Sequence, residues 1–190
     1  MIGEIKHYIE KEFRLYRLKK KVGHLGDKCD IGKYYCIEGD KLFIGDNVGI
    51  AEGAWIKASH VLNNSELELK IGNGCRIGRF NEIYATKSII LEEKVLTAER
   101  VYISDNLHGY NNPEIPIIDQ SLIQNNTVRI GEGSWIGVGA VILGANIGKH
   151  CVIGSNAVVT HDVPDYSIAV GIPARIIKKY DFNQKKWIKV

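Results

Sequence analysis

The sequence predicts an all-β chain wound as a stack of short-strand coils, with a helix in front, one long excursion loop and a C-terminal extension. Three observations carry this. Isoleucine, leucine or valine recurs about every six residues, as at Ile31, Ile44, Ile50, Ile71, Ile77, Ile130, Ile136, Ile147 and Ile153. Each of these is followed at once by Gly or Ala. The period is too short for a helix-turn-helix unit, so each repeat is one short strand that buries its apolar side only against its neighbours.

Residues Ile5, Tyr8, Ile9, Phe13, Tyr16 and Arg17 fall at three and four residue spacings, which predicts an amphipathic helix ending near Lys19–Lys21 and Gly23. It is expected to cap the open end of the stack, which would otherwise expose apolar interior and unpaired edges. The hexads begin near Ile31. A branched residue points inward, and the following Gly, Asn and Asp supply turn chemistry at a corner. Three hexads are expected to close one triangular coil. The repeat breaks at Ser59 to Glu66 and, in a long unstructured excursion, from Gly109 to Asn126; excursions of this kind from a regular scaffold usually carry function. Between Ile142 and Ile147 the step is five residues, from either a deletion absorbed in a corner or a register passing from Val141 to Ile147.

Composition excludes several classes. The 190 residues are 45% hydrophobic and 25% charged, with a formal charge of +3, so nothing global demands nucleic acid. The ends are more basic: Met1 to Lys21 carries seven Lys/Arg against three Glu. No apolar run approaches the ~20 residues of a membrane span. The expected location is the cytoplasm, with membrane contact peripheral at most. Cys29, Cys36, Cys75 and Cys151 lack tight metal spacing and read as thiols, mostly small core residues.

The hexads, together with Trp135-Ile-Gly-Val-Gly-Ala-Val and the run from Ile153 through His161-Asp-Val-Pro to Gly171-Ile-Pro-Ala-Arg175, resemble the hexapeptide-repeat acetyltransferases, in the maltose, galactoside and polysaccharide O-acetyltransferase branch. The resemblance covers about residues 31–179. It implies a left-handed parallel β-helix, an exception to the usual right-handed crossover, and a homotrimer with active sites at subunit interfaces. The expected organisation is a cap over residues 1–24, a β-helix over 25–170 with its loop at 109–126, and an extension over 171–190 docked by Phe182 and Trp187.

Acetyl transfer from acetyl-CoA to a sugar or glycan hydroxyl needs a base, and histidine suits neutral pH. Of the six histidines, His108 lies at the start of the long excursion, sixth from Ile103. The resembled enzymes place their catalytic histidine there. Many polysaccharide-directed relatives read Asp-His-x-His where this chain reads Asp105-Asn106-Leu107-His108, which argues against a two-histidine mechanism. Asp105 or Glu114 could orient the imidazole, and Asp105 could equally be a corner residue. Asn81 corresponds to a sugar-contacting asparagine of the family, or is a hydrogen-bonded core residue. The resemblance assigns acetyl-CoA contacts to Gly137, Ser155, Thr160, His161, Arg175 and Lys178; His161 stands where relatives commonly have Lys. Trp135 walls this groove or serves an interface or the core. No metal is expected.

No Cys or Ser nucleophile accompanies His108, so transfer is expected to be direct. N-acetylation of an amino sugar needs the same base and groove. A zinc hydratase on the same coil would need three converging histidines, and a non-enzymatic scaffold would show no CoA affinity.

Overall fold

The computed structural model describes residues 2–190; within the first helix the side chains of residues 2–5 and 7, Ile5 of the predicted apolar face among them, lie outside the described residues. Three columns of inward side chains make the fold. On the first face Leu25, Ile44, Ile71, Leu91, Ile130, Ile147 and Val163 stack in parallel register. The second face stacks Ile31, Ile50, Ile77, Thr97, Ile136, Ile153 and Ala169. The third stacks Ile37, Ile56, Ile83, Ile103, Ile142 and Val159. All are buried, each large aliphatic contributing about 1.5–3 kcal/mol.

Two corners are alike from coil to coil. Three residues past each inward residue of the first face the backbone turns left-handed, at Lys28, Asn47, Gly74, Lys94, Gly133, His150 and Tyr166. The second corner does the same at Gly53, Phe80, Arg100, Gly139 and Asn156. The third corner, between the third and first faces, has no fixed length, so two sides of each coil are hexads rather than three. This loop corner carries both interruptions, from Ile56 to Ile71 and from Ile103 to Ile130; elsewhere the step varies from eight residues, Ile83 to Leu91, down to four, Val159 to Val163.

The five-residue step belongs to the same corner. Ile142 stays inward and fully buried, so the register does not pass to Val141. The shortening is absorbed at Gly144, whose φ is +55° and where a Cβ would meet the Asn125 side chain at 2.6 Å. Only an isolated bridge at Ile147 continues the first face there.

Helix α1 (Ile2–Lys19) sits on the first coil, but the expected face is turned the other way. Leu18 is fully buried and Leu15 packs beside it, while Tyr8, Ile9, Phe13 and Tyr16 are each more than half exposed. The open coil end offers unpaired backbone as well as apolar surface, so the docking face combines leucines with cations. Arg14 Nε donates to Ile31 O at 2.9 Å, and Lys11 pairs with Asp30 at 2.7 Å.

At the other end Arg175–Asp181 runs antiparallel to Ser167–Val170, and Lys186–Lys189 antiparallel to it. Tyr180 meets both Phe182 and Trp187 edge-on, at 5.1 and 5.4 Å between ring centres. Phe182 also meets Tyr166 at 4.8 Å, yet remains mostly exposed. No helix among the described residues is long and apolar enough to cross a membrane.

Candidate active site

The excursion after Ile103 is structured at its root. Asn106–His108 pairs antiparallel with Leu122–Gln124, setting His108 opposite Leu122. His108 therefore stands outside the coil, on a hairpin thrown out at the loop corner; its sixth-place count does not continue the coil, because that corner has no six-residue rule. The imidazole is exposed.

A buried polar network fixes where this hairpin leaves. Asp105 is fully buried. Its Oδ1 accepts from Thr86 N (2.8 Å), the Thr86 hydroxyl (3.0 Å) and Asn106 Nδ2 (3.2 Å), and its Oδ2 from Lys87 N (2.7 Å) and Ser88 N (2.8 Å). Ser104 Oγ donates to Asn106 O at 2.9 Å. Gln124 Nε2 donates to Asp105 O at 2.6 Å, and Asn125 N to the same carbonyl at 2.8 Å.

Asp105 is thus not the orienting carboxylate for His108. Both its oxygens are occupied by the turn of the preceding coil, which makes it a corner residue that positions the strand bearing the histidine. Glu114 is exposed in the loop, and its backbone N–H donates to Asn112 Oδ1 at 2.9 Å. Among the described residues no hydrogen bond or ion pair joins either carboxylate to His108. The loop is latched by Gln120, whose Nε2 donates to Asn112 O (2.9 Å) and Ile115 O (2.8 Å). It still presents Tyr110, Ile115, Ile117 and Ile118 to solvent, Ile118 at 80%.

Of the two alternatives for Asn81, the structure shows the hydrogen-bonded core residue. It is fully buried, and its Nδ2 donates to Ala98 O at 2.7 Å, bridging one coil to the next.

The six residues assigned to acetyl-CoA fall in three places. Gly137 and Ser155 follow the second face, Thr160 and His161 sit on the loop corner, and Arg175 and Lys178 lie on the antiparallel strand that ends the second face. Gly137 is buried under the following coil: its N–H donates to Ile153 O at 2.8 Å, and a Cβ would meet Ser155 N at 2.7 Å. Its smallness serves coil stacking rather than ligand contact. Ser155, Thr160, His161 and Arg175 are exposed and Lys178 is half-buried, with Thr160 Oγ1 and His161 Nδ1 2.9 Å apart. Trp135 is 48% exposed and therefore not a core residue; its outward neighbours in register are Leu96 and Val152.

All four cysteines are free thiols. Burial pushes each of them up, Cys75 to about 11. A thiol held so far from its thiolate is no nucleophile at neutral pH. No group of three or more potential metal ligands occurs among the described residues.

A parallel coil with hexad sides defines a class, the hexapeptide-repeat proteins. The family described as the hexapeptide repeat of succinyl-transferase matches residues 127–161. The "Probable acetyltransferase Rv3034c" of Mycobacterium tuberculosis is 35% identical over 184 residues, covering 95% of this chain and 59% of that protein. The "Putative lipopolysaccharide biosynthesis O-acetyl transferase WbbJ" of Escherichia coli is 32% identical over 122 residues, 60% of this chain and 62% of that one. The chain thus spans about three-fifths of the length of each relative. An N-acyltransferase from Bacillus cereus, solved with dTDP and 3-hydroxybutyryl-CoA, shares the fold with a TM-score of 0.68 at 19% identity, over 90% of each chain. The likeness of the chain is thus to hexapeptide-repeat acetyltransferases, through the repeat at residues 127–161 and through relatives about a third identical.

Proposed function

We propose that this protein is an acetyl-CoA-dependent O-acetyltransferase acting on a sugar or glycan precursor, with His108 as general base. The observation that carries the reading is the root of the hairpin: a fully buried carboxylate with five donors holds in place a strand whose next feature is an exposed imidazole. Buried polar networks of this kind are costly unless fully satisfied, and they rigidify what they hold. Acetyl-CoA supplies an activated acetyl thioester. His108 takes the proton of the acceptor hydroxyl as the new carbon–oxygen bond forms, and returns it to the sulfur as the carbon–sulfur bond breaks. The raised thiols support this direct route over a cysteine-bound intermediate.

The cofactor surface fits at the closing end of the coil. Arg175 offers an exposed guanidinium and Lys178 a half-buried ammonium for the nucleotide phosphates. Ser155, Thr160 and His161 offer exposed small or polar contacts. Glu114, exposed and with no bond to His108 among the described residues, takes the orienting role once a neighbour covers the loop. Assembly as a homotrimer is supported by the exposed Tyr110, Ile115, Ile117 and Ile118, an apolar cluster that a lone subunit would leave in water. We infer a left-handed coil, as the family resemblance implies, and place the enzyme in the cytoplasm, where four free thiols are ordinary.

N-acetylation of an amino sugar is the second reading, favoured by the fold shared with the Bacillus cereus N-acyltransferase. A thiol-release assay with acetyl-CoA against matched sugars and amino sugars separates the two. Turnover with hydroxyl acceptors supports O-transfer, turnover with amines alone moves the assignment to nitrogen, and neither turnover nor calorimetric CoA binding would leave a scaffold.

A further inference from the structure

Helix α1 has two opposed faces. One meets the first coil through Leu15 and Leu18 with Lys11 and Arg14. On the other, Ile9, Phe13 and Tyr16 are 60%, 59% and 57% exposed, at the spacing of one helical stripe. Cations line this stripe. The Arg17 guanidinium lies 5.7 Å from the centre of the Phe13 ring, the Lys20 ammonium 4.3 Å from that of Tyr16, and Lys6 is exposed one turn before.

We propose that α1 docks the protein on an anionic lipid surface, with Ile9, Phe13 and Tyr16 entering the headgroup region and Lys6, Arg17 and Lys20 meeting lipid phosphates. An apolar stripe with aromatic rings, edged by Lys and Arg, is what a helix lying in the plane of a membrane presents. Charge selects lipid over a second copy. Of the seven cations in residues 1–21, Lys11 and Arg14 are taken up by the coil, and the other five still outnumber the three glutamates, so two such faces brought together would repel, whereas an anionic bilayer attracts them. The molecule holds its own contrast. A second exposed apolar cluster, in the 109–126 loop, has Glu114 and Asp119 and no Lys or Arg, and an anionic surface would repel it. The helix also meets the coil at its first strands, at the opposite end from the antiparallel extension. A flat surface can therefore reach the stripe.

The test is cosedimentation of the full chain with sucrose-loaded vesicles of phosphatidylcholine containing about 30% phosphatidylglycerol, against phosphatidylcholine alone. The protein should pellet with the anionic vesicles only, and release as salt rises from about 0.1 M to about 1 M, where the Debye length falls to ~3 Å. The double variant Ile9→Ser, Phe13→Ser, both exposed and so neutral to folding, should bind at least about tenfold more weakly. Its thiol-release rate on a soluble acceptor should be unchanged, which keeps this result separate from that of the proposed activity. Wild-type protein left in the supernatant, equal binding to neutral vesicles, or a double variant that pellets like wild type would overturn the proposal. So would a drop in light-scattering mass of the variant, which would mark the stripe as a contact between copies.

Discussion

Two excursions leave the coil at the same corner, and each carries a histidine. In the first, His60 opens a one-turn 3-10 segment (His60–Leu62) and its Nε2 lies 2.8 Å from Asp40 Oδ1, with both side chains more than half exposed. In the second, His108 has no carboxylate partner among the described residues, but its strand springs from a buried network. Four of the eight buried polar residues, Thr86, Ser104, Asp105 and Asn106, lie at that one root. Thr86 also borders the first excursion, where Ser59 N donates to Ala85 O, but no residue from Ser59 to Glu66 is itself buried. A histidine beside a carboxylate is common surface chemistry, whereas buried polar groups must be satisfied to be tolerated, and here they fix a strand. The difference teaches that the candidate site is marked by what holds the histidine, not by what touches it.

The largest effect should separate the two histidines. His108→Ala should lower turnover by about 10²–10⁴-fold while leaving calorimetric acetyl-CoA binding intact, since a general base contributes on that scale; His60→Ala should stay within about twofold. The reverse ranking in the thiol-release assay would exchange the two sites. Next comes the network. Asp105→Ala strips the Thr86, Lys87 and Ser88 N–H groups of their acceptor and should cost about 3 kcal/mol or more in urea denaturation. Gln124→Ala removes a single clamp on the hairpin and should cost roughly 1–2 kcal/mol, with a larger loss in turnover than in acetyl-CoA affinity.

The smallest effect lies at the first excursion. The hydrogen bond from His60 holds the Asp40 carboxyl below its ordinary range. A depressed acid stabilises the fold above the ordinary carboxylate range and loses that contribution as pH falls through its lowered value. Because the pair is exposed and screened, Asp40→Asn should change stability by only about a few tenths of a kcal/mol. A denaturation series from neutral to acid pH should show the wild-type and variant curves converging at the acid end.

Part of this was open to a reader of the sequence. The place of His108 at the start of the long excursion is legible in the sequence. The same reading missed Thr86, Ser104, Gln120 and Gln124, because no local pattern marks a residue whose partner stands one coil away: Thr86 and Asp105 are 19 apart, and Gln124 lies 38 from Thr86. The only faint signal was a non-apolar cluster, Ser104 to Asn106, directly behind an inward isoleucine. Asn81 and Gly137 were drawn to ligands for the same reason. Each lies against the next coil, which the sequence does not display as a neighbour.

By itself the sequence determined the coil. An apolar residue every six positions has no place to go but inward, and strands that short must stack to bury it. It also showed where the regularity fails, although Thr97 in the second-face column and the variable third corner hid that each coil has two hexad sides and not three. The tertiary structure decided everything that depends on contact between coils. It turned the aromatic face of α1 outward, because the coil end needed Leu15, Leu18 and Arg14. It gave Asp105 to the preceding turn rather than to the histidine, because a buried carboxylate takes the nearest backbone donors, and those belong to residues 86–88 of the coil beneath.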